Sequence, residues 1–441
     1  MGFVRKFLSA EGLLSSIRKS IQRENFSPCR SVYSWEDCIM SGLAVFGLKF
    51  PSLLQFEKTR ALDPMVGRNL RTLYGIKNTP SDTCMRERLD QVQPEQLRRS
   101  FKTIFSHLQR GKALEKYRYL DGHYILSIDG TGQFSSEKVN CVNCCSKKHR
   151  NGKTSYYHHM LGAAIVHPDH KVPIPLAPEP IVKGDGDTKN DCERNAAKRL
   201  LADFRREHPH LKTIVVEDGL SSNFPHLSLL DLLNIAYIIG AKPGDHKAMF
   251  KYLETVSGES YQKIESSGTI HDYQFYHDVP LNESNKDYLV NVLEYTETNK
   301  NGVKKCFTWV TKLKISKDNV YEIMRAGRSR WRIENETFNT LKNQGYNFEH
   351  NYGHGKENLC SVMTMLMMLA FLVDQVQQLC SKTYQQARKH AGPLKAFFER
   401  VRSLVFLGEF KSWETLFIYI GQPDQRAPPT EDWVFRLKQK A

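Results

Sequence analysis

Apolar positions recur at helical spacing through the first quarter of the chain and change to strand spacing near residue 118. The stretches "PSLLQFEKTRAL" and "DTCMRERLDQVQPEQLRRSFKTIFSHLQRG" set apolar residues on one helical face between basic ones, and Pro80-Ser81 marks a helix start. Residues 1–117 therefore read as a helical region. From 118 the runs become short and apolar. "HYILSIDG" reads as a strand ending in Asp129, and "YYHHMLGAAIV" and "HKVPIPLAPEPIV" as two more. An amphipathic helix, "CERNAAKRLLADFRREH", follows. Then come the strand "TIVVEDG" ending in Asp218, the helix "PHLSLLDLLN" and the strand "AYIIGAK". The order βββ-α-β-α-β suits an antiparallel meander that continues into parallel crossover units.

This α/β pattern occupies 118–245 and gives way at 246–312 to a β-rich block: "TIHDYQFYHDV", "DYLVNVLEYTET" and "KKCFTWVTKL". Asn301-Gly302 between the last two is a hairpin signal. Helices resume in 313–390, including the apolar run "SVMTMLMMLAFLV", which is shorter than the ~20 residues of a membrane span and reads as a buried core helix. The tail, 391–441, is mixed and basic and has no assigned role.

Composition narrows the class. A chain of 441 residues is long for one core, so two or three domains are expected. Hydrophobic content of 40% excludes a disordered chain, and a formal net charge of +15 points to a polyanionic partner, nucleic acid or an acidic membrane surface. The opening "MGFVRKFLSAEGLLSSIRKS" is a basic amphipathic helix without a signal-peptide cleavage site, and Lys6 spoils the myristoylation pattern. The 10 Cys are mostly scattered singly, which suits a reduced cytoplasmic protein.

The stretch "RSRWRIENETFNTLKNQGY" (328–346) carries an acidic residue on an apolar helix face. At about 100° per residue from Glu334, Phe338 lies near +40°, Leu341 near −20°, Trp331 near +60° and Arg330 near −40°. Glu336 falls near 200°, which turns it to solvent. A lone inward carboxylate needs compensation, for which an ion pair with Arg330 would suffice. Asp129 and Asp218 supply a different explanation. Each ends an apolar strand and precedes a Gly, and sites in open α/β sheets gather at strand ends. In a ribonuclease-H-like fold strands one and four lie side by side, so the two Asp and an inward Glu would form one cluster. Three like charges together require divalent cations. Two carboxylate-held Mg²⁺ ions would activate a water or a 3′-hydroxyl and stabilise the leaving oxygen.

"SIDGT", "VVEDG" and "RWRIENETFNTLK" resemble the transposases of bacterial insertion sequences that carry a DDE triad on a ribonuclease-H-like core. The resemblance spans roughly 118–375. It implies an α/β, ribonuclease-H-like mixed sheet flanked by helices and interrupted by the β-rich insertion, with a helical N-terminal DNA-binding region. It implies Asp129, Asp218 and Glu334 as the catalytic and Mg²⁺-binding triad, with Mn²⁺ as a substitute. The partners would be double-stranded DNA, as element ends and as target, and a second copy of the chain, with no membrane. The family's helix signature Y-x2-R-x3-E-x6-K is matched by Arg330 and Glu334. Gly327 stands where Tyr is expected and Leu341 where Lys is, with Lys342 one place late; an alignment on Glu336 stays open, and the helix-face argument selects Glu334. A catalytically inactive DNA-binding descendant and a structure-specific nuclease are the alternatives.

Three further signals accompany the triad. "CVNCCSKKH" offers Cys141, Cys144, Cys145 and His149 at zinc-like spacing, with His158, His159 or Cys192 as candidates for a ligand from elsewhere. Trp309 could stack on an unpaired base, against the ordinary role of a core aromatic. Arg328, Arg330, Arg332 and Lys342 surround the Glu334 helix as phosphate contacts or a solvated basic face. His354, in "YGHGKE", falls in a loop before the buried helix and has no assigned role.

Overall fold

The computed structural model describes residues 5–27, 32–186 and 189–422, with 189–191 described by backbone only. The extreme termini of the N-terminal helix and of the basic tail lie outside these residues. The chain begins as helices α1 (Ala10–Ile21), α2 (Trp35–Gly47), α3 (Leu53–Leu62), α4 (Pro64–Tyr74), α5 (Asp82–Asp90) and α6 (Glu95–Arg110). Ser9, Ser34, Ser52, Asp63 and Ser81 cap the first five, each side chain accepting a backbone N–H of the opening turn.

The α/β part follows as β1 (Arg118–Tyr119), β2 (His123–Ser136), β3 (Cys145–Lys148), β4 (Thr154–His167), β5 (His170–Pro175), β6 (Glu179–Ile181), α7 (Lys189–Glu207), β7 (Thr213–Glu217), α8 (Phe224–Leu232) and β8 (Ala236–Gly240). Next come α9 (Lys247–Leu253), β9 (Glu259–Ile264), β10 (Ile270–Asn282), β11 (Asn285–Thr298) and β12 (Lys304–Thr311). The chain closes with α10 (Val320–Arg328), a wide π turn (Ile333–Phe338), α11 (Asn339–Asn343), α12 (Leu359–Cys380), α13 (Lys382–Ala391), α14 (Leu394–Leu407) and α15 (Trp413–Gly421).

All these strands join one mixed sheet in the order β3-β4-β2-β7-β8-β12-β11-β10-β9, with β1 on β2 and β5 and β6 on β4. The β2–β7 and β7–β8 ladders are parallel, and the others are antiparallel. The strand order expected from the apolar runs is present. Three details differ. β2 does not end at Asp129 but pairs with β4 as far as Ser136. The third expected strand is split into β5 and β6. The β-rich block opens with α9 and the additional strand β9, and it extends the sheet through β12 on β8.

Helix α12 explains how the helical and sheet layers hold together. It has the length and composition to cross a membrane, but 83% of its most apolar window is buried inside the protein. It packs against α2, α5 and α6 on one side and β4 and β5 on the other. A fully buried Leu366 in that position would cost about 2–5 kcal/mol to truncate to Ala. The tail left unassigned by its sequence forms α14, which packs on α4, and α15, which packs on α13 and α1. The first and last described α-helices, α1 and α15, thus pack against each other.

Candidate active site and metal cluster

The parallel ladder sets the first two carboxylates. Tyr124 pairs with Thr213, and the register holds to Ser127 and Val216. Two residues further along each chain come Asp129 and Asp218, with Asp218 still in extended conformation. Asp129 is partly buried, whereas Asp218 is exposed. Behind Asp218, the buried Glu217 and His226 are bonded at 2.6 Å, which ties the end of β7 to α8. Asp218 Oδ1 accepts from Leu220 N at 3.0 Å, so its carboxylate also shapes its own turn.

A glycine makes room for the third carboxylate. Gly162 of β4 lies opposite Asp129. A Cβ there would meet Phe338 Cε1 at 2.8 Å and Ile333 Cδ1 at 3.7 Å. The π turn therefore rests directly on the sheet beside Asp129. Ser127 Oγ pins its approach by donating to Arg330 O at 3.0 Å. Glu334 is exposed on this turn, and its charge, like that of Asp218, acts on Asp129. Burial, with those two charges adding, pushes the Asp129 carboxyl up to about 6, against the opposing pull of Arg330 and of the Gly130 N–H. Arg330 Nη1 lies 2.9 Å from Asp129 Oδ2. Arg330 thus serves Asp129, not Glu334.

The wide turn overturns the helix-face argument: Glu334, expected to face inward, is exposed, and Glu336, expected to face solvent, is partly buried. A π turn takes in an extra residue, so angles computed at 100° per residue fail across it. Trp331, expected on the apolar stripe, is 49% exposed, while Ile333, Thr337, Phe338 and Leu341 are buried. Glu336 is not free in solvent: it is partly buried and ion-paired with Arg332 at 3.2 Å. Lys342 pairs with Glu349 at 2.9 Å, and Leu341 is fully buried. At Gly327, a Cβ would meet the Trp309 indole at 2.6 Å, so no larger residue fits there.

Trp309 itself is a core residue. It is 5% exposed and stacks on Phe307 with centroids 5.6 Å apart, so it is closed to a nucleic acid base. The basic residues around the helix are all engaged. Arg328 pairs with Glu297, Arg330 with Asp129, and Arg332 with Glu336 and the carbonyl of Pro168. Arg325, Arg328 and Arg332 line a cleft of about 560 Å³ together with Trp331 and Glu336.

A second cluster forms at the far end of β2. The described residues Cys141, Cys144, His158 and His354 place one ligand atom each within 4.8 Å of one another and could hold a metal ion. His158 had been one of several candidates, while His354 had no spacing to reveal it. Cys145 and His149 lie outside the cluster. The Cys145 thiol contacts Ile181 O at 3.9 Å and packs with Cys192 and Ala196. His149 bonds Ser155 Oγ at 2.7 Å. The hydrogen bond shared with the Cys144 thiol and the facing His158 and His354 imidazoles hold the Cys141 thiol far below the usual thiol range.

Comparison with protein-family models found no match, and comparison with curated proteins found none either.

Proposed function

We propose that this chain is a DNA transposase of the DDE type, built on a ribonuclease-H-like core, with Asp129, Asp218 and Glu334 as its metal-binding triad. One observation supports the reading: Asp218 and Glu334, from elements distant in sequence, lie near enough to Asp129 for their charges to add to the burial that raises its carboxyl. Such a set of hard oxygen donors with mutual repulsion fits divalent cations. A pair of Mg²⁺ ions, or Mn²⁺ in their place, would supply activation of a water or 3′-hydroxyl and stabilisation of the leaving oxygen.

The protein's own groups would do the positioning. Asp129 and Asp218, each two residues past the end of the parallel ladder, would hold the cations, and Glu334 would close the site from the π turn. Arg330 neutralises Asp129 in the absence of a cation. Arg325, Arg328 and Arg332 would steer phosphates along the cleft, and the exposed Trp331 at its edge would stack on an unpaired base. The net charge of +15 suits a DNA partner, and the helical N-terminal region would bind the element's terminal repeats. Two ends must be held together, which a homodimer achieves.

The test is incubation of the purified protein with the DNA flanking its own gene and Mg²⁺. Cleavage at the 3′ ends followed by joining to target DNA is the expected result. Cutting without joining would make it a nuclease, and binding without cutting an inactive descendant.

A further inference from the structure

We propose that Cys141, Cys144, His158 and His354 bind one structural Zn²⁺ that clasps the Asp129 strand to the chain segment leaving the Glu334 helix. The distances match the ion. With Zn–S near 2.3 Å and Zn–N near 2.05 Å, a tetrahedral site has S···S edges of about 3.8 Å and S···N edges of about 3.5 Å. The two thiol sulfurs lie 3.8 Å apart. Cys141 Sγ to His158 Nε2, Cys144 Sγ to His158 Nε2, and Cys144 Sγ to His354 Nε2 are each 3.3 Å. A disulfide does not fit that separation, since bonded sulfurs lie about 2.05 Å apart. Three of the four donors are buried, Cys144 and His158 at 2% exposed and His354 at 7%, while Cys141 is partly exposed. Burying a thiol and two imidazoles face to face is costly unless a cation gathers their lone pairs. Two sulfurs and two nitrogens in a closed site select zinc over the hard cations proposed for the carboxylates.

The ligands come from places that need joining. Cys141 and Cys144 lie in the connection from β2 to β3, and His158 sits on β4 across from Phe134 of β2. His354 belongs to the segment between α11 and α12. That segment is itself gripped by α5 on either side of the histidine. Arg86 Nη1 donates to Tyr352 O at 2.7 Å, and the Asp90 carboxylate accepts the backbone N–H groups of Lys356, Glu357, Asn358 and Leu359 at 2.9–3.0 Å. Gly355 lets Asp90 approach, since a Cβ there would meet Asp90 Oδ1 at 2.2 Å. Asn143 adds a direct bond, donating to Glu357 O at 3.0 Å. The ion would therefore close a link among the sheet, the Glu334-bearing segment and the N-terminal helices.

The experiment is elemental analysis and Co²⁺ substitution of the full chain purified without chelator. About one zinc per chain is expected, and Co²⁺ in its place should give the intense visible absorption of a tetrahedral thiolate site. Cys144→Ser and His354→Ala should each lower the zinc content by at least half and lower the melting temperature. Cys145→Ser and His149→Ala should leave zinc content unchanged, because both side chains lie outside the cluster. Should the ligand variants fail to fold, the zinc count and Co²⁺ spectrum of the unaltered protein still decide. Wild-type protein without zinc and without a Co²⁺ spectrum overturns the proposal, as does zinc lost equally from the Cys145→Ser and His354→Ala variants. None of these readouts depends on DNA cleavage.

Discussion

Asp129 and Asp218 occupy matching positions on adjacent parallel strands, two residues beyond the last ladder pair, Ser127 with Val216. A ladder fixes this relationship more firmly than any loop could. Burial first, and then the charges of Asp218 and Glu334, push the Asp129 carboxyl up to about 6 against the pull of Arg330.

That shift has a sign. A carboxyl whose folded value lies above its ordinary 3.8 favours the fold most when protonated. Its contribution is full below about 4 and is lost as pH rises through about 6. Asp129→Asn should therefore be more stable than the wild type at pH 7 by about 2–3 kcal/mol, with the difference vanishing near pH 4. Thermal melts across that range check it. Mg²⁺ should raise the melting temperature of the wild type at pH 7 and leave the variant unchanged. Parallel melting curves for the two proteins at all pH values would contradict the electrostatic account.

Gly162 tests how the π turn is seated. A methyl group at this position would lie 2.8 Å from Phe338 Cε1, and overpacking of this kind costs about 1–3 kcal/mol. Gly162→Ala should displace the turn, with a modest loss of stability and a loss of DNA cleavage of tenfold or more, as about 1 Å of misplacement can cause. Adding Phe338→Leu should restore much of both by vacating the space. Gel assays and melts on the single and double variants decide. Gly162→Ala with wild-type activity would mean that the turn does not depend on this contact.

The two tryptophans should separate cleanly. Trp309→Ala removes a buried ring stacked on Phe307 and should cost about 3–5 kcal/mol of stability. Trp331→Ala removes an exposed one and should leave the melting temperature nearly unchanged. Its effect belongs in affinity for single-stranded or frayed DNA, weakened by about 1–3 kcal/mol if a base stacks there. Fluorescence binding titrations read this directly. Equal affinities for Trp331→Ala and wild type would remove Trp331 from the proposed interface.

The elements were legible where local pattern decides them. Apolar runs marked β2 and β7 and so located Asp129 and Asp218, and the Asn301-Gly302 signal marked the turn between β11 and β12. Other features were set by tertiary contact. Nothing local in "RIENETF" announces a π turn, and Trp331, just ahead of it, is exposed although its spacing placed it on the apolar face. His354 lies 210 residues from Cys144, so no spacing rule reaches it. Cys145 looked eligible by proximity, but successive residues entering a strand point to opposite sides, which sends it toward Ile181 and Cys192. Trp309 reads more readily as a core aromatic than as a stacking residue, and the close approach of Gly327 to its buried ring agrees.

The central claim is that Asp129, Asp218 and Glu334 act together on DNA. The most direct measurement is Mg²⁺-dependent cleavage of the element's own ends by Asp129→Asn, Asp218→Asn, Glu334→Gln and Glu336→Gln, with DNA binding measured in parallel. The first three should each lose cleavage by a factor on the order of 10³ or more while binding stays near wild type, because metal ligands serve the chemistry and phosphate contacts hold the complex. Glu336→Gln, which breaks only the pair with Arg332, should retain most of its activity. Cleavage that survives Glu334→Gln and disappears with Glu336→Gln would contradict the account.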